Sequence, residues 1–189
     1  MKVCERVVLY KLDNLVKDYI DPLQFACRRN RSTDDAALYV LENIYLHSEK
    51  AGSSARLMFF DFSSAFNTIQ PQWLVQKLLN TKLPSSVISW IFDYLTNRLQ
   101  YLRLNGVLSS VIYTNTGAPQ GTVLAPFLFS LYTVDCRSTN KSCPLVKFAD
   151  DTKLLEKSVM MRMRYTTNRF ENFVNWCDKN YLYLNVSKT

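Results

Sequence analysis

Three aspartates stand at positions from which they could together bind divalent metal ions. Asp61 interrupts the apolar run at 57–62, and Asp150 and Asp151 follow the apolar stretch at 145–148. An ionised carboxylate that leaves water needs a partner, and a hard cation such as Mg²⁺ prefers oxygen ligands. Carboxylates that converge from two neighbouring strands can bridge ions roughly 4 Å apart, which is the arrangement of two-metal phosphoryl transfer. The three aspartates therefore indicate a metal-dependent site for phosphate chemistry.

Each of these carboxylates also has a simpler interpretation when it is considered alone. Asp61 could pair with a lysine at a strand end or cap the helix that follows. Asp150 and Asp151 could lie on a solvated turn, where acidic residues are common. The metal site depends on the two strands being neighbours in one sheet.

Periodicity and turn signals predict the elements that position the carboxylates. The run around Asp61 has large apolar residues without polar alternation, which is typical of a central strand buried on both faces. The stretches on either side of 149–151 predict two strands joined by a hairpin, and Asn105–Gly106 predicts a second, tight hairpin. Helices are predicted at 3–16, 33–51, 71–79, 85–98, 122–133 and 158–178, and a last strand at 181–186.

Composition and charge are compatible with a folded protein that binds nucleic acid. The 189 residues are 48% hydrophobic, and the formal net charge is +7 with a pI near 9.2. A chain of this length can bury a core as one compact domain, and its positive charge suits a phosphate backbone. The five cysteines are odd in number and lack a CxxC pair, so we expect reduced, mostly buried thiols.

Two features of the sequence bear on localisation. The apolar run at 123–129 contains Pro126 and is far shorter than the ~20 residues that a membrane-spanning helix needs. The first residues lack the apolar core of a signal peptide. We therefore expect an intracellular protein, nuclear and/or cytoplasmic, that is not secreted and has no transmembrane segment.

Five segments of the chain resemble the motifs of reverse transcriptases, in particular those of non-LTR (LINE-like) retrotransposons. FFDFSSAFNTI at 59–69, TGAPQGTVLAPFLFSLY at 116–132 and KFADDTKLL at 147–155 resemble motifs A, B and C. QFACRRNRSTDDA at 24–36 resembles the fingers segment before motif A, and WCDKNYLYLNVSKT at 176–189 resembles motif D. The matches occur in family order and cover nearly the whole chain.

This resemblance implies an α+β fold: a polymerase palm with a small, mainly antiparallel sheet backed by helices, plus partial fingers. It implies one partial domain, with fingers-side helices at 1–55, the palm at 56–189 and the thumb absent. The implied activity is nucleotidyl transfer from a dNTP to a primer 3′-hydroxyl. The implied partners are an RNA template and a DNA primer, and the implied cofactor is a pair of Mg²⁺ ions, with Mn²⁺ as a substitute.

The resemblance also implies roles for individual residues. Asp61 and Asp150 would be the main metal ligands, with Asp151 as a third carboxylate, and Lys188 matches the motif D lysine that can protonate the leaving pyrophosphate. Phe66 matches the steric-gate position, where a ring would clash with a ribose 2′-hydroxyl, although it could also be an ordinary core residue. The implied dNTP contacts are Phe62, Ser63, Ser64, Ala65, Phe66 and Gln120. The implied nucleic-acid contacts are Arg28, Arg29, Arg31, Pro119 and Gly121.

One departure from the family pattern is Asn67, which replaces the aspartate of the usual AFD string and leaves Asp61 in place. Two other functions remain open at this point. One is a truncated, catalytically inactive relic of a mobile element that folds and at most binds nucleic acid. The other is a two-metal nuclease or phosphatase, for which His47 is the one histidine available as a base.

Overall fold

The computed structural model describes residues 2–138, 140, 142–159 and 164–187, and for 164–169 it describes the backbone alone. Helices and short antiparallel strands are mixed along the chain, so the predicted α+β class is confirmed. The helices are α1 (Lys2–Val16), α2 (Thr33–Ser48), α3 (Pro71–Leu78), α4 (Ser85–Leu95), α5 (Ala125–Tyr132) and α6 (Arg164–Lys179). The strands are β1 (Ser53–Phe60), β2 (Arg98–Gln100), β3 (Arg103–Leu104), β4 (Val107–Leu108), β5 (Ile112–Thr114), β6 (Leu145–Phe148) and β7 (Asp151–Val159).

The chain forms two compact units, each assembled from two separate stretches. The helical unit contains Met1–Asp18 and Phe66–Tyr132, and the sheet unit contains Tyr19–Ala65 and Thr133–Thr189. The sequence predicted one partial domain, with fingers-side helices up to residue 55 and the palm after it. The naming of 1–55 as fingers and 56–189 as palm stays a prediction.

In the sheet unit, a three-stranded antiparallel sheet has the order β1–β7–β6. The expectation that the strand before Asp61 is central and buried on both faces is wrong. β1 lies at the edge of this sheet, and the Phe59 side chain is 56% exposed, whereas Phe60 is buried. Leu57 and Met58 are both half-buried. The Lys153 ammonium lies 5.6 Å from the centre of the exposed Phe59 ring.

Helix α2 packs in the sheet unit, where its buried residues Ala36 and Val40 join Phe25 and Val146 in one apolar cluster. Its start is fixed by a capping box between Ser32 and Asp35. The Ser32 hydroxyl accepts from the Asp35 amide, and the Asp35 carboxylate accepts from the Ser32 amide at 2.6 Å. The Ser32 hydroxyl also donates to the Asp35 carboxylate at 2.8 Å, and this bond, together with the one from the Ser32 amide, lowers the pKa of Asp35.

A buried ion pair joins β6 to the segment before α2. The Lys147 ammonium lies 2.8 Å from Asp21 Oδ2, and both side chains are almost fully buried. It also donates to the carbonyls of Thr133 and Cys136, at 2.8 Å each. All of these groups belong to the sheet unit, so β6 is held by charge as well as by its strand partner.

The helical unit contains α1, α3, α4 and α5 and two small two-stranded sheets. Pro71 begins α3, where its missing N–H costs nothing, and the predicted hairpin at Asn105–Gly106 joins β3 to β4. β2 pairs with β5, so the predicted helix at 85–98 ends earlier, at Leu95. Every residue of helix α5 except Pro126 is buried.

Two predictions for the C-terminal region are wrong. The helix predicted from Ser158 begins at Arg164, because β7 continues through Val159 to pair with the start of β1. The last strand predicted at 181–186 is reduced to an isolated bridge between Leu184 and Phe62. Tyr181 has a φ of 56°, which interrupts extended backbone at the start of that segment.

The cysteine and membrane expectations can be compared with the described residues. The five cysteines, all among the described residues, are thiols rather than disulfides; Cys136, Cys143 and Cys177 are buried, whereas Cys4 and Cys27 are exposed. Burial raises the pKa of the Cys177 thiol. Within the described ranges, the helices are too short or too polar to cross a membrane.

Candidate active site

The three candidate metal ligands all lie in the sheet unit, at one end of its sheet. Asp61 directly follows β1, and Asp151 is the first residue of β7. Because Phe60 pairs with Thr152, continuing the antiparallel register by one residue sets Asp61 opposite Asp151. Asp150 and Ala149 form the turn between β6 and β7. The sheet therefore brings the two carboxylate positions together from distant parts of the chain.

The three carboxylates interact electrostatically. Burial raises the pKa of Asp150, and the negative charges of Asp151 and Asp61 raise it further, against an opposing hydrogen bond with its own backbone. Repulsion of this kind between carboxylates is typical of a site that is stabilised when a cation binds. A metal ion would relieve the like-charge contact and share the carboxylate oxygens.

The described residues contain no group of three or more histidine, cysteine, aspartate or glutamate side chains gathered tightly enough to hold an ion by themselves. Mg²⁺ sites at which a phosphate is the substrate need fewer protein ligands than such a group. In such sites one or two carboxylates hold the ion, and water and substrate phosphates complete its octahedral shell. The oxygen-only donors and mutual repulsion of Asp61, Asp150 and Asp151 therefore fit a divalent cation.

Asn185 is a site residue that sequence reasoning did not identify. Its side-chain Nδ2 donates to Asp61 Oδ2 at 3.0 Å, and its backbone N–H donates to the Asp61 carbonyl at 2.9 Å. Ser63 N–H donates to the Tyr183 carbonyl at 2.8 Å, so residues 183–185 run alongside 61–63. The only signal in the sequence was an asparagine within the motif D match, which is too common to indicate a partner.

The four residues after Asp61 differ in the solvent exposure of their side chains. Phe62 is buried, and its ring lies 6.3 Å from that of Phe173, so a nucleotide would meet its backbone rather than its side chain. Ser63 and Ser64 are exposed, and Ser64 has a φ of 54°. Ala65 is buried at the start of a short 3-10 turn, Ala65–Asn67. The predicted dNTP contacts of these residues stay predictions.

In the helical unit, the GAPQG loop packs on the residues that follow motif A. Gly117 N–H donates to the Ile69 carbonyl at 2.7 Å, and Ala118 N–H donates to the Phe66 carbonyl at 2.8 Å. The exposed Gln120 side chain donates to Asn67 Oδ1 at 3.1 Å. Asn67, the departure from the AFD string, thus orients the predicted nucleotide-contacting Gln120.

The predicted steric gate, Phe66, is half-buried in the same unit. Its ring packs against Phe129 of α5, with ring centres 5.2 Å apart. A cavity of about 840 Å³ in this unit is lined by Asn67, Arg98 and Gln120, among others. Arg98 also donates to the carbonyls of Thr116 and Gly117, which anchors the loop. The Phe66 ring is backed by Phe129, and the cavity beside the GAPQG loop has polar lining residues. Such a combination of a flat ring and polar groups suits a nucleotide or a template base.

Gly117 is a position where any side chain should be damaging. A Cβ built there would lie 2.7 Å from the Asn67 Cα, and the residue has a φ of 72°. We expect Gly117→Ala to lower the free energy of unfolding by about 2–4 kcal/mol, the sum of left-handed backbone strain and overpacking. Urea unfolding measures this effect.

Gly121 provides a matched control for that substitution. It has the same φ of 72°, but a Cβ there meets nothing within 4 Å. Gly121→Ala should therefore cost only the backbone strain, about 1 kcal/mol. Equal losses for the two variants would contradict the close packing of Gly117 on motif A.

The remaining residues predicted to contact nucleic acid differ in their exposure and in their contacts within the protein. The Arg28 guanidinium donates to the Pro22 carbonyl at 3.1 Å, and that of Arg31 lies 5.3 Å from the centre of the Phe25 ring, so both have structural contacts. Arg29 and Gly121 are exposed, and Pro119 is half-buried. Their predicted roles stay predictions, and Lys188 lies outside the described residues.

Comparisons with known proteins show which proteins this chain resembles. Residues 1–189 match the family described as "Reverse transcriptase (RNA-dependent DNA polymerase)". The chain is 25% identical to "Probable RNA-directed DNA polymerase from transposon BS" of Drosophila melanogaster, over 100% of this chain and 22% of that protein. It is 28% identical to "RNA-directed DNA polymerase from mobile element jockey" of Drosophila funebris, over 83% of this chain and 18% of that protein.

A similar fold occurs in apo telomerase from Candida tropicalis. The TM-score is 0.70 at 13% sequence identity, and the match covers 100% of this chain and 36% of the telomerase chain. At this identity the likeness shows the fold alone.

The chain belongs to the reverse transcriptase family, whose members generally use divalent metal ions. The Drosophila relatives come from mobile elements, which confirms the resemblance to non-LTR retrotransposons. The chain spans about a fifth of the length of these relatives, which are 22% and 18% covered.

Proposed function

We propose that this chain is the catalytic palm of an RNA-directed DNA polymerase that transfers a nucleotide from a dNTP to a primer 3′-hydroxyl. The observation that carries the proposal is the convergence of Asp61, Asp150 and Asp151 at one end of the β1–β7–β6 sheet. Membership of the reverse transcriptase family supports the same chemistry. The partners are an RNA template, a DNA primer and dNTPs.

The metal ligands in this proposal are Asp61, Asp150 and Asp151. Their oxygen donors suit a pair of Mg²⁺ ions, with Mn²⁺ as a substitute. When bound, such ions supply Lewis-acid stabilisation of phosphate charge and ease deprotonation of the attacking hydroxyl. Asn185 holds one Asp61 oxygen and thereby fixes the direction of the other.

The chain's own groups supply positioning. The Ser64 and Ala65 amides would donate to the triphosphate, and Gln120, oriented by Asn67, would contact the incoming base pair. Phe66, backed by Phe129, would exclude a ribose 2′-hydroxyl. Phe62 and Ser63 would contribute backbone near the nucleotide, and Lys188 would donate a proton to the leaving pyrophosphate.

The remaining contacts would hold nucleic acid. Arg28, Arg29 and Arg31 would approach backbone phosphates, which suits the net charge of +7. Pro119 and Gly121 flank Gln120 and would approach the template strand.

Primer extension tests the proposal. The protein is incubated with an RNA template, a labelled DNA primer, dNTPs and Mg²⁺ or Mn²⁺, and with a chelator as the control. We expect extension of the primer that depends on the metal and on dNTPs. Absence of extension with both metals, or shortening of the primer in their presence, would contradict a polymerase and favour an inactive or a nuclease function.

A further inference from the structure

Gln24 is a buried polar residue in the segment that lies beside β6 in the sheet unit. Its side chain is fully buried, with 0% relative exposure. On either side of it, the backbone pairs with Lys147: Lys147 N–H donates to the Leu23 carbonyl, and Phe25 N–H donates to the Lys147 carbonyl, both at 2.8 Å. Gln24 and Lys147 form a parallel β-bridge. The main chain of Gln24 is therefore fixed against the strand that leads to Asp150.

The Gln24 side chain continues this pairing beyond the end of β6. Its Oε1 accepts from Ala149 N–H at 3.0 Å, and its Nε2 donates to the Ala149 carbonyl at 3.3 Å. Oε1 also accepts from Ala26 N–H at 3.1 Å. The carboxamide thus binds both polar backbone groups of one residue, as a peptide unit of a neighbouring strand would.

Ala149 needs such support because of its backbone conformation. Its φ is 54°, in the left-handed region that a residue with a Cβ adopts at a cost. It is also the residue immediately before Asp150 in the turn between β6 and β7. A change in the Ala149 dihedrals would redirect the Asp150 side chain.

We propose that Gln24 is a positioning residue of the active site, whose carboxamide clamps Ala149 and thereby sets the direction of the Asp150 carboxylate. This inference rests on the proposed function for the role of Asp150, whereas the clamp itself is a property of the sheet unit. Gln24 touches none of the reacting groups, so its effect on catalysis passes through the turn. Loss of the clamp should affect turnover rather than substrate binding.

The test substitutes Gln24→Met, which keeps the length of the side chain and removes all three of its hydrogen bonds. We expect kcat for primer extension to fall about 10-fold to 100-fold, with KM for the dNTP and the primer–template within about twofold. Amide hydrogen exchange followed by NMR gives a readout without activity. Exchange of the Ala149 N–H should accelerate at least about 10-fold, because its acceptor is gone.

Asn43→Leu is the matched control for loss of stability. Asn43 lies on α2 in the same unit, and its Oδ1 accepts from Lys157 Nζ of β7 at 2.9 Å, away from the turn. Removing this bond should lower the thermal midpoint and leave kcat unchanged at temperatures where all variants are folded. A kcat for Gln24→Met equal to that of the Asn43→Leu variant would overturn the inference.

Asp150→Asn separates failure of the inference from failure of the proposed function. If Asp150→Asn abolishes extension and Gln24→Met leaves kcat unchanged, the site stands and the inference is overturned. If Asp150→Asn changes nothing, the proposed site fails. In that case only amide hydrogen exchange tests the clamp. An unchanged exchange rate of the Ala149 N–H in Gln24→Met would overturn the clamp as well.

Discussion

Replacing Asp150 with asparagine is expected to lower the rate of nucleotide addition by about 10³-fold or more. The substitution keeps the shape of the side chain but removes a charge that a divalent cation needs, and stabilisation by such a cation is worth several kcal/mol in the transition state. Asp150 stands where the charges of Asp151 and Asp61 already act on it, so its carboxylate contributes to the same field. Single-turnover primer extension measures the effect.

Asp178→Asn provides the control for this experiment, because it makes the same chemical change at an exposed position on α6. Its rate of extension should match that of the unmodified chain. Asp150→Asn should also leave the folded state at least as stable as before, since it removes one of several mutually repelling charges. A large loss of activity accompanied by unfolding would therefore contradict a catalytic role, as would unchanged activity.

Replacing Lys147 with methionine is expected to lower the free energy of unfolding by about 3–5 kcal/mol. Methionine fills much of the same volume but leaves the Asp21 carboxylate buried without the ammonium that lies 2.8 Å from it. The carbonyls of Thr133 and Cys136 lose this donor at the same time. Equilibrium unfolding in urea measures the loss.

Lys153→Met is the matched control, because Lys153 faces Val146 across β6 and β7 and is only half-buried. Its ammonium lies near the exposed Phe59 ring, a contact worth about 0.5–1 kcal/mol. Adding Asp21→Asn to Lys147→Met should recover part of the loss, since it removes the buried charge that has lost its ammonium partner. Equal losses for Lys147→Met and Lys153→Met would show that the buried pair does not hold β6.

The sequence allowed most elements near the site to be predicted, because their signals are local. The helices predicted at 33–51 and 71–79 and the turn predicted at Asn105–Gly106 are all present. Ser32 caps α2 and Pro71 begins α3, and both act on neighbouring residues. The hairpin that carries Asp150 was predicted for the same reason. Errors occurred where pairing with a distant strand decided the outcome, as for the extension of β7 through Val159.

The burial of the strand before Asp61 was misjudged because burial is not a local property. Four consecutive large apolar residues at 57–60 predict a strand covered on both faces. In the structure β7, not β1, is the middle strand, and Phe59 lies on an exposed face. An edge strand can carry the same residues as a central one when its exposed ring is partly covered by a long side chain such as that of Lys153.

By itself, the sequence determined the family to which this protein belongs and which side chains are candidates for its chemistry. The three aspartates, the GAPQG loop and Phe66 could be recognised because residue type and order along the chain carry that information. Only the tertiary structure decided which side chains hydrogen-bond to the candidate site and fix its geometry. Asn185 reaches Asp61 across 124 residues and Gln24 reaches Ala149 across 125, and no local periodicity encodes contacts over such separations. Strand register, which sets Asp61 opposite Asp151, depends in the same way on packing of the whole unit.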